Sequence, residues 1–269
     1  MPTGKKTPLS SRWTEKAWLL LAAPLLLFFT VPILQLLTRT TTSQILESLA
    51  MENVRLAVWV SLRTTLVSLV IILLFGTPLA YWMGRHNFRL KRLVDTLIDL
   101  PTVLPPSVAG VALLITFGRR GIIGGWIEGL GIQIAFTQTA VILAQVFIAA
   151  PFYVKAASLG FAGVDQEIIE AAQLDGAHRW HMLRHIMLPI TQPALLSGSM
   201  LSWARALGEF GATIIFAGNF PGRTQTMPTA IYLGFEMDLQ TALSLSAILV
   251  LISLISILLV KVIISQNSG

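Results

Sequence analysis

Several stretches of this 269-residue chain run for about twenty residues without a charged side chain, the length that spans a hydrocarbon core. Residues 17–37, 64–83 and 239–260 hold no Asp, Glu, Lys or Arg at all. In lipid no water satisfies a free backbone N–H or C=O, so a chain crosses it only as helices or as a closed barrel. The runs lack the alternating pattern of barrel strands. The expected fold class is therefore all-α, a polytopic membrane protein, and a composition of 54% hydrophobic and 12% charged residues agrees with it.

Six spans are expected, at about 17–37, 56–83, 97–117, 137–154, 190–218 and 239–260, forming a single transmembrane domain over residues 1–269. Residues 56–63 lead into the uncharged core of the second. The first run follows a basic start, as in a signal peptide, but is about twice too long for one and lacks a small-x-small cleavage site, so it reads as a retained anchor. Alternate sides of these spans carry twelve and six Lys or Arg, with Arg205 left inside a span. The richer side holds Lys5, Lys6, Arg12 and Lys16, the 85–92 loop, Lys155, Arg179, Arg184 and Lys261, which places both termini and the 1–16 segment in the cytoplasm. The net charge of +6 lies beside apolar runs, so it speaks for membrane lipid and not for nucleic acid. With no cysteine, disulfides and thiol chemistry are excluded.

One polar segment interrupts this economy. Residues 164–189, between the fourth and fifth spans, gather Asp165, Glu167, Glu170, Asp175, Arg179, Arg184, His178, His181 and His185. Asp165 suits an N-cap, Glu167 suits the first turn, and Ile168, Ile169, Ala171, Ala172 and Leu174 make a short apolar-rich helix that Gly176 stops. An amphipathic stretch from Trp180 to Met187 follows, before Pro189 opens the next span. This is a helix-turn-helix knob suited to a partner's groove, or else a solvated loop. The three histidines share a helical face, but no acid or cysteine nearby completes a ligand set, so no metal site is expected.

Two features lie inside the membrane. Arg205 and Glu209 are spaced i, i+4 and would each cost about 2.5 to 3.5 kcal/mol unpaired at a helix centre. They are either a structural ion pair facing the bundle interior or a pair lining a path. Ala204, Gly208, Gly211 and Ala212 remove side-chain bulk around them. Leu100 to Gly110, with Pro101, Pro105, Pro106 and Ser107, cannot form an unbroken helix, and irregular backbone at this depth marks a packing kink or a cavity wall. The stretch from Asn219 to Asp238 reads as a turn-rich connector. No Walker A loop, H-E-x-x-H or G-x-S-x-G occurs, so no hydrolase chemistry is expected of this chain.

Glu170-Ala171-Ala172, three residues, Gly176, nine residues, Ile186, one residue and Leu188-Pro189 match the EAA signature of ABC importer permeases position by position. ARALGEFGATIIFAGN from Ala204, PGRTQTMPTAIY from Pro221, DLPTVLPPSVAG from Asp99 and GRRG from Gly118 resemble the molybdate branch of the oxyanion permeases, and the likeness covers about residues 56–260. Sulfate and thiosulfate permeases share the ARALGEFG core.

The resemblance implies a permease of the bacterial inner membrane that imports molybdate through a homodimer interface. Two cytoplasmic ABC ATPase subunits, which bind the ATP and Mg, would supply energy. It makes Glu170, Ala171, Ala172, Leu174, Asp175 and Gly176 the coupling helix docked in the ATPase. Arg205, Gly208, Glu209, Gly211, Pro105, Pro106 and Ser107 would line a path or gate between the third and fifth spans. Arg119, Arg120 and Arg223 would meet an extracellular or periplasmic oxyanion-binding protein. Sulfate, thiosulfate or tungstate import, a gradient-driven secondary transporter, and a membrane scaffold or sensor that does not transport are the competing readings.

Overall fold

A computed structural model describes residues 10–267; Lys5 and Lys6 lie outside the described residues. The fold is helical, with no strand among the described residues. Its helices are α1 (Ser10–Arg39), α2 (Thr42–Ala50), α3 (Glu52–Arg85), α4 (Lys91–Val103), α5 (Pro106–Phe117), α6 (Gly124–Glu128) and α7 (Gln138–Ala162). Then come α8 (Gln166–Leu174), α9 (Arg179–Met182), a π-helical turn Leu183–Met187, α10 (Leu188–Leu207), α11 (Gly211–Phe216), α12 (Met227–Met237) and α13 (Leu239–Asn267).

Among the described residues, four helices are long and apolar enough to cross a membrane: Ala17–Arg39 within α1, α3, α7 and Leu239–Ile263 within α13. The α4–α5 pair would make a fifth, although the two helices meet at 114°. The 20-residue α10 is not among them. Thr191, Gln192, Ser197, Ser199, Ser202 and Arg205 lower its apolarity, which it tolerates because α3, α7 and α13 pack around it.

The core sits where α7 packs along α3 and α10. Small residues bring the backbones close: a Cβ on Gly84 of α3 would stand 2.6 Å from the Ser158 carbonyl, and one on Gly198 of α10 would stand 2.9 Å from Ala156 Cβ. Tyr153, Phe161, Ile72 and Met187 fill the remaining space. Several polar groups between these helices pair with one another. Ser68 donates to Gln145 Oε1 at 2.9 Å, Gln145 donates to Thr65 at 3.2 Å, and Ser202 donates to the Ala149 carbonyl at 2.6 Å.

The stretch after α11 is more ordered than a connector. Thr224, Gln225, Thr226, Met227 and Thr229 are buried, and α12 takes up the second half of the stretch. Ser61 of α3 receives the Met227 N–H at 2.7 Å, and Thr224 receives that of Phe220 at 3.1 Å. The segment is plugged into the bundle, with Arg223 left exposed.

Candidate functional site

The polar segment folds as its composition implies. Asp165 precedes α8, although its side chain makes no capping bond. The far end closes as a full Schellman motif: Gly176 N–H donates to Gln173 O at 3.0 Å and Ala177 N–H to Ala172 O at 2.9 Å. That closure requires the left-handed φ of +83° at Gly176. A Cβ there would meet no neighbour within 4 Å, so only backbone strain opposes substitution.

The helix has two faces. Ile169 and Ala172 are buried, and Ile169 packs in the cluster that holds Val164, Met182 and Met187. The opposite face presents Glu170, Ala171, Asp175 and Gly176, with Leu174 89% exposed at its tip. Trp180, 64% exposed, lies outside the positions of the EAA signature and lines a cavity with Arg85, Gln166 and Ile169. Leu174 thus exposes its apolar side chain on a polar loop, away from the long apolar helices.

α9 and the π turn carry the chain directly into α10, burying Met182 and Met187 while Trp180, His181, Arg184 and His185 point outward. The His181 ring stacks on that of His185 with centroids 4.3 Å apart. Among the described residues, no three His, Cys, Asp or Glu side chains converge where a metal ion could sit.

At the other site, two breaks in the helices meet. The 190–218 span is not one helix: α10 ends at Leu207, and α11 begins at Gly211. Glu209 lies in the gap, 1% exposed, with Oε2 2.7 Å from Arg205 Nη1 and Oε1 accepting the Ala212 N–H at 2.8 Å. One carboxylate thus neutralises an arginine and caps α11. The 97–117 span turns at Leu104–Pro105, and Pro101 is absorbed inside α4.

α5 then lies against α11. A Cβ on Gly211 would stand 2.7 Å from Pro106 Cβ and 3.3 Å from Ser107 N, and one on Gly110 would stand 2.9 Å from Ala212 Cα. Gly211, Pro106 and Ser107 therefore come together, and Pro105, Pro106 and Ser107 are exposed. Gly208 does not join them. It borders an apolar cavity of about 360 Å³ with Ile33 of α1 and Leu249 of α13.

The three arginines expected to meet a binding protein, all exposed, fall in two places. Arg119 pairs with Glu128 at 3.2 Å, and Arg119, Arg120 and Gln133 line a cavity of about 590 Å³ at the end of α5. Arg223 is not among its lining residues.

Comparison with known proteins places the architecture. Residues 76–266 match the family described as binding-protein-dependent transport system inner membrane component. The molybdenum transport system permease protein ModB of Escherichia coli is 42% identical over 177 residues, covering 65% of this chain and 77% of that one. A probable sulfate transport system permease protein cysT of Chlorokybus atmophyticus is 34% identical over 251 residues, covering 91% and 88%. In fold, the chain resembles a chain of a bacterial ABC transporter involved in the import of the acidic polysaccharide alginate, with TM-score 0.72, 17% identity and coverage of 97% and 98%. The chain belongs to the binding-protein-dependent transport system inner membrane component family and is the permease subunit of an ABC importer, in which a separate subunit is the ATPase.

Proposed function

We infer that this permease imports molybdate, driven by ATP hydrolysed on two partner subunits, and that the anion passes through the interface of a homodimer with six spans per chain. Both termini and residues 164–189 face the cytoplasm in this reading, where the excess of Lys and Arg favours them. The fifth span is supplied by α10 with α11, whose Thr191, Ser202 and Thr213 are buried in the bundle.

The observation that carries the reading is the outer face of α8. Glu170, Ala171, Asp175, Gly176 and Leu174 offer one exposed, mixed surface on a short helix closed by a glycine turn, which suits a groove on an ATPase. α8 is braced against the core through the buried Ile169 and Ala172, so a push on it reaches α3, α7 and α10. The break-to-break contact of α5 and α11 supports a gate at Pro106, Ser107 and Gly211, with Arg205 and Glu209 as the pair that holds its shape. Arg119, Arg120 and Arg223 are assigned to the binding protein, whose acids they would complement.

The likeness to ModB supports molybdate as cargo. Sulfate is the second reading, favoured by the likeness to cysT. Uptake competition decides between them: the complete complex in lipid vesicles is given labelled molybdate with excess tungstate or sulfate. The molybdate reading expects tungstate to compete and sulfate to compete weakly; strong inhibition by sulfate assigns the second reading.

A further inference from the structure

The Glu170 carboxylate is held in place from a distant part of the chain. Arg85, the last residue of α3, donates through Nη1 to the Val164 carbonyl at 3.0 Å and through Nη2 to Gln166 Oε1 at 2.8 Å. Gln166 Nε2 then donates to Glu170 Oε1 at 3.1 Å. Arginine has only donors, so it sets the amide's orientation, with the oxygen toward Arg85. The amide N–H groups are left facing one helical turn onward, where an acceptor can use them. Gln166 therefore works as a polarity relay: an acceptor for the arginine and a donor for the carboxylate. The bond to Val164 adds a second hold, fixing the junction of α7 and α8 to the end of a 34-residue helix.

We propose that Arg85 and Gln166 are positioning residues, which hold Glu170 as α8 presents it to the ATPase and tie that presentation to the end of α3. This rests on the reading of α8 as the ATPase contact. Neither residue touches the proposed gate; Gln166 acts through Glu170, and Arg85 through Gln166 and the Val164 carbonyl.

The relay's two arms can be separated by one substitution. Gln166→Glu keeps an acceptor for Arg85, now fully charged, so α8 stays anchored. It has no donor for Glu170 and sets a like charge one turn below it. A purely structural anchor would be unharmed or strengthened by this change; a relay would fail.

The test uses the complex of permease, ATPase and binding protein in lipid vesicles, and reads anion imported per ATP hydrolysed. Wild type is compared with E170A, Q166A, Q166E and the double variant E170A/Q166A. The expected result is a roughly three- to tenfold lower ratio in Q166E, the scale of one lost ordinary hydrogen bond, with the melting temperature of the permease undiminished. Q166A should cost nothing further once Glu170 is gone. If E170A leaves the ratio unchanged, the reading of α8 fails and the inference falls with it. If E170A lowers the ratio while Q166E matches wild type, or if the Q166A and E170A losses add in full, the relay is wrong and the reading of α8 survives.

Discussion

Gly211 of α11 and Pro106 of α5 touch at the point where two broken helices meet, so closely that a Cβ on the glycine would stand 2.7 Å from the proline Cβ. The contact admits no side chain without displacing α5. Gly211→Ala is therefore expected to destabilise the permease by about 1 to 3 kcal/mol through overpacking and to lower uptake more than stability alone explains. Gly208→Ala, whose nearest neighbour is the Ala204 carbonyl at 3.5 Å, should be mild. Thermal unfolding in detergent and vesicle uptake of the two variants check this; equal effects would remove Gly211 from the gate.

Glu209 serves two partners, and this makes the ion pair asymmetric. Arg205→Ala strands a carboxylate that is 1% exposed and should cost about 3 to 5 kcal/mol. Exchanging the pair, Arg205→Glu with Glu209→Arg, restores the attraction but leaves the Ala212 N–H without its acceptor. Partial rescue of stability and uptake is expected. Full rescue would mean that the cap on α11 contributes nothing.

These two sites differ in how far a sequence exposes them. The apolar runs, the stop at Gly176 and the helix before it depend on local chemistry, and all are legible. The break at 208–210 is not, because no proline marks it: it depends on Glu209 capturing the Ala212 N–H and on α5 pressing against α11. The i, i+4 spacing of Arg205 and Glu209 correctly pairs them but hides that Glu209 lies beyond the helix end. The Gln166–Glu170 pair is within reach of helical spacing, whereas Arg85 is brought to it across 81 residues by the packing of α3 on α7. The buried threonines of the 224–229 stretch look like a polar loop in sequence, since only tertiary partners such as Ser61 identify a plug.

Ser61→Ala tests that plug. It removes the acceptor of a buried backbone N–H at Met227 and should cost about 1 to 3 kcal/mol. Limited proteolysis within 220–226 is the readout, with faster cleavage than wild type expected. Unchanged cleavage would show that the segment is held without this bond.

Gly176 and Leu174 test the partner surface separately. Gly176→Ala meets no neighbour within 4 Å but forces a left-handed residue, at about 1 to 2 kcal/mol, and should distort the end of α8 while the bundle stays intact. Leu174→Asp leaves the fold alone, because the side chain is 89% exposed. Co-purification with the ATPase is expected to fall in both. A Leu174→Asp complex that assembles and transports normally would take that residue out of the interface.

If energy enters this chain from a separate ATPase, molybdate transport must depend on that partner. The decisive measurement is molybdate accumulation in vesicles that carry the permease alone or the complete complex, each with and without ATP and with an imposed proton or sodium gradient. Accumulation is expected only in the complete complex supplied with ATP. Accumulation by the permease alone, driven by a gradient, would contradict the ATP-driven reading.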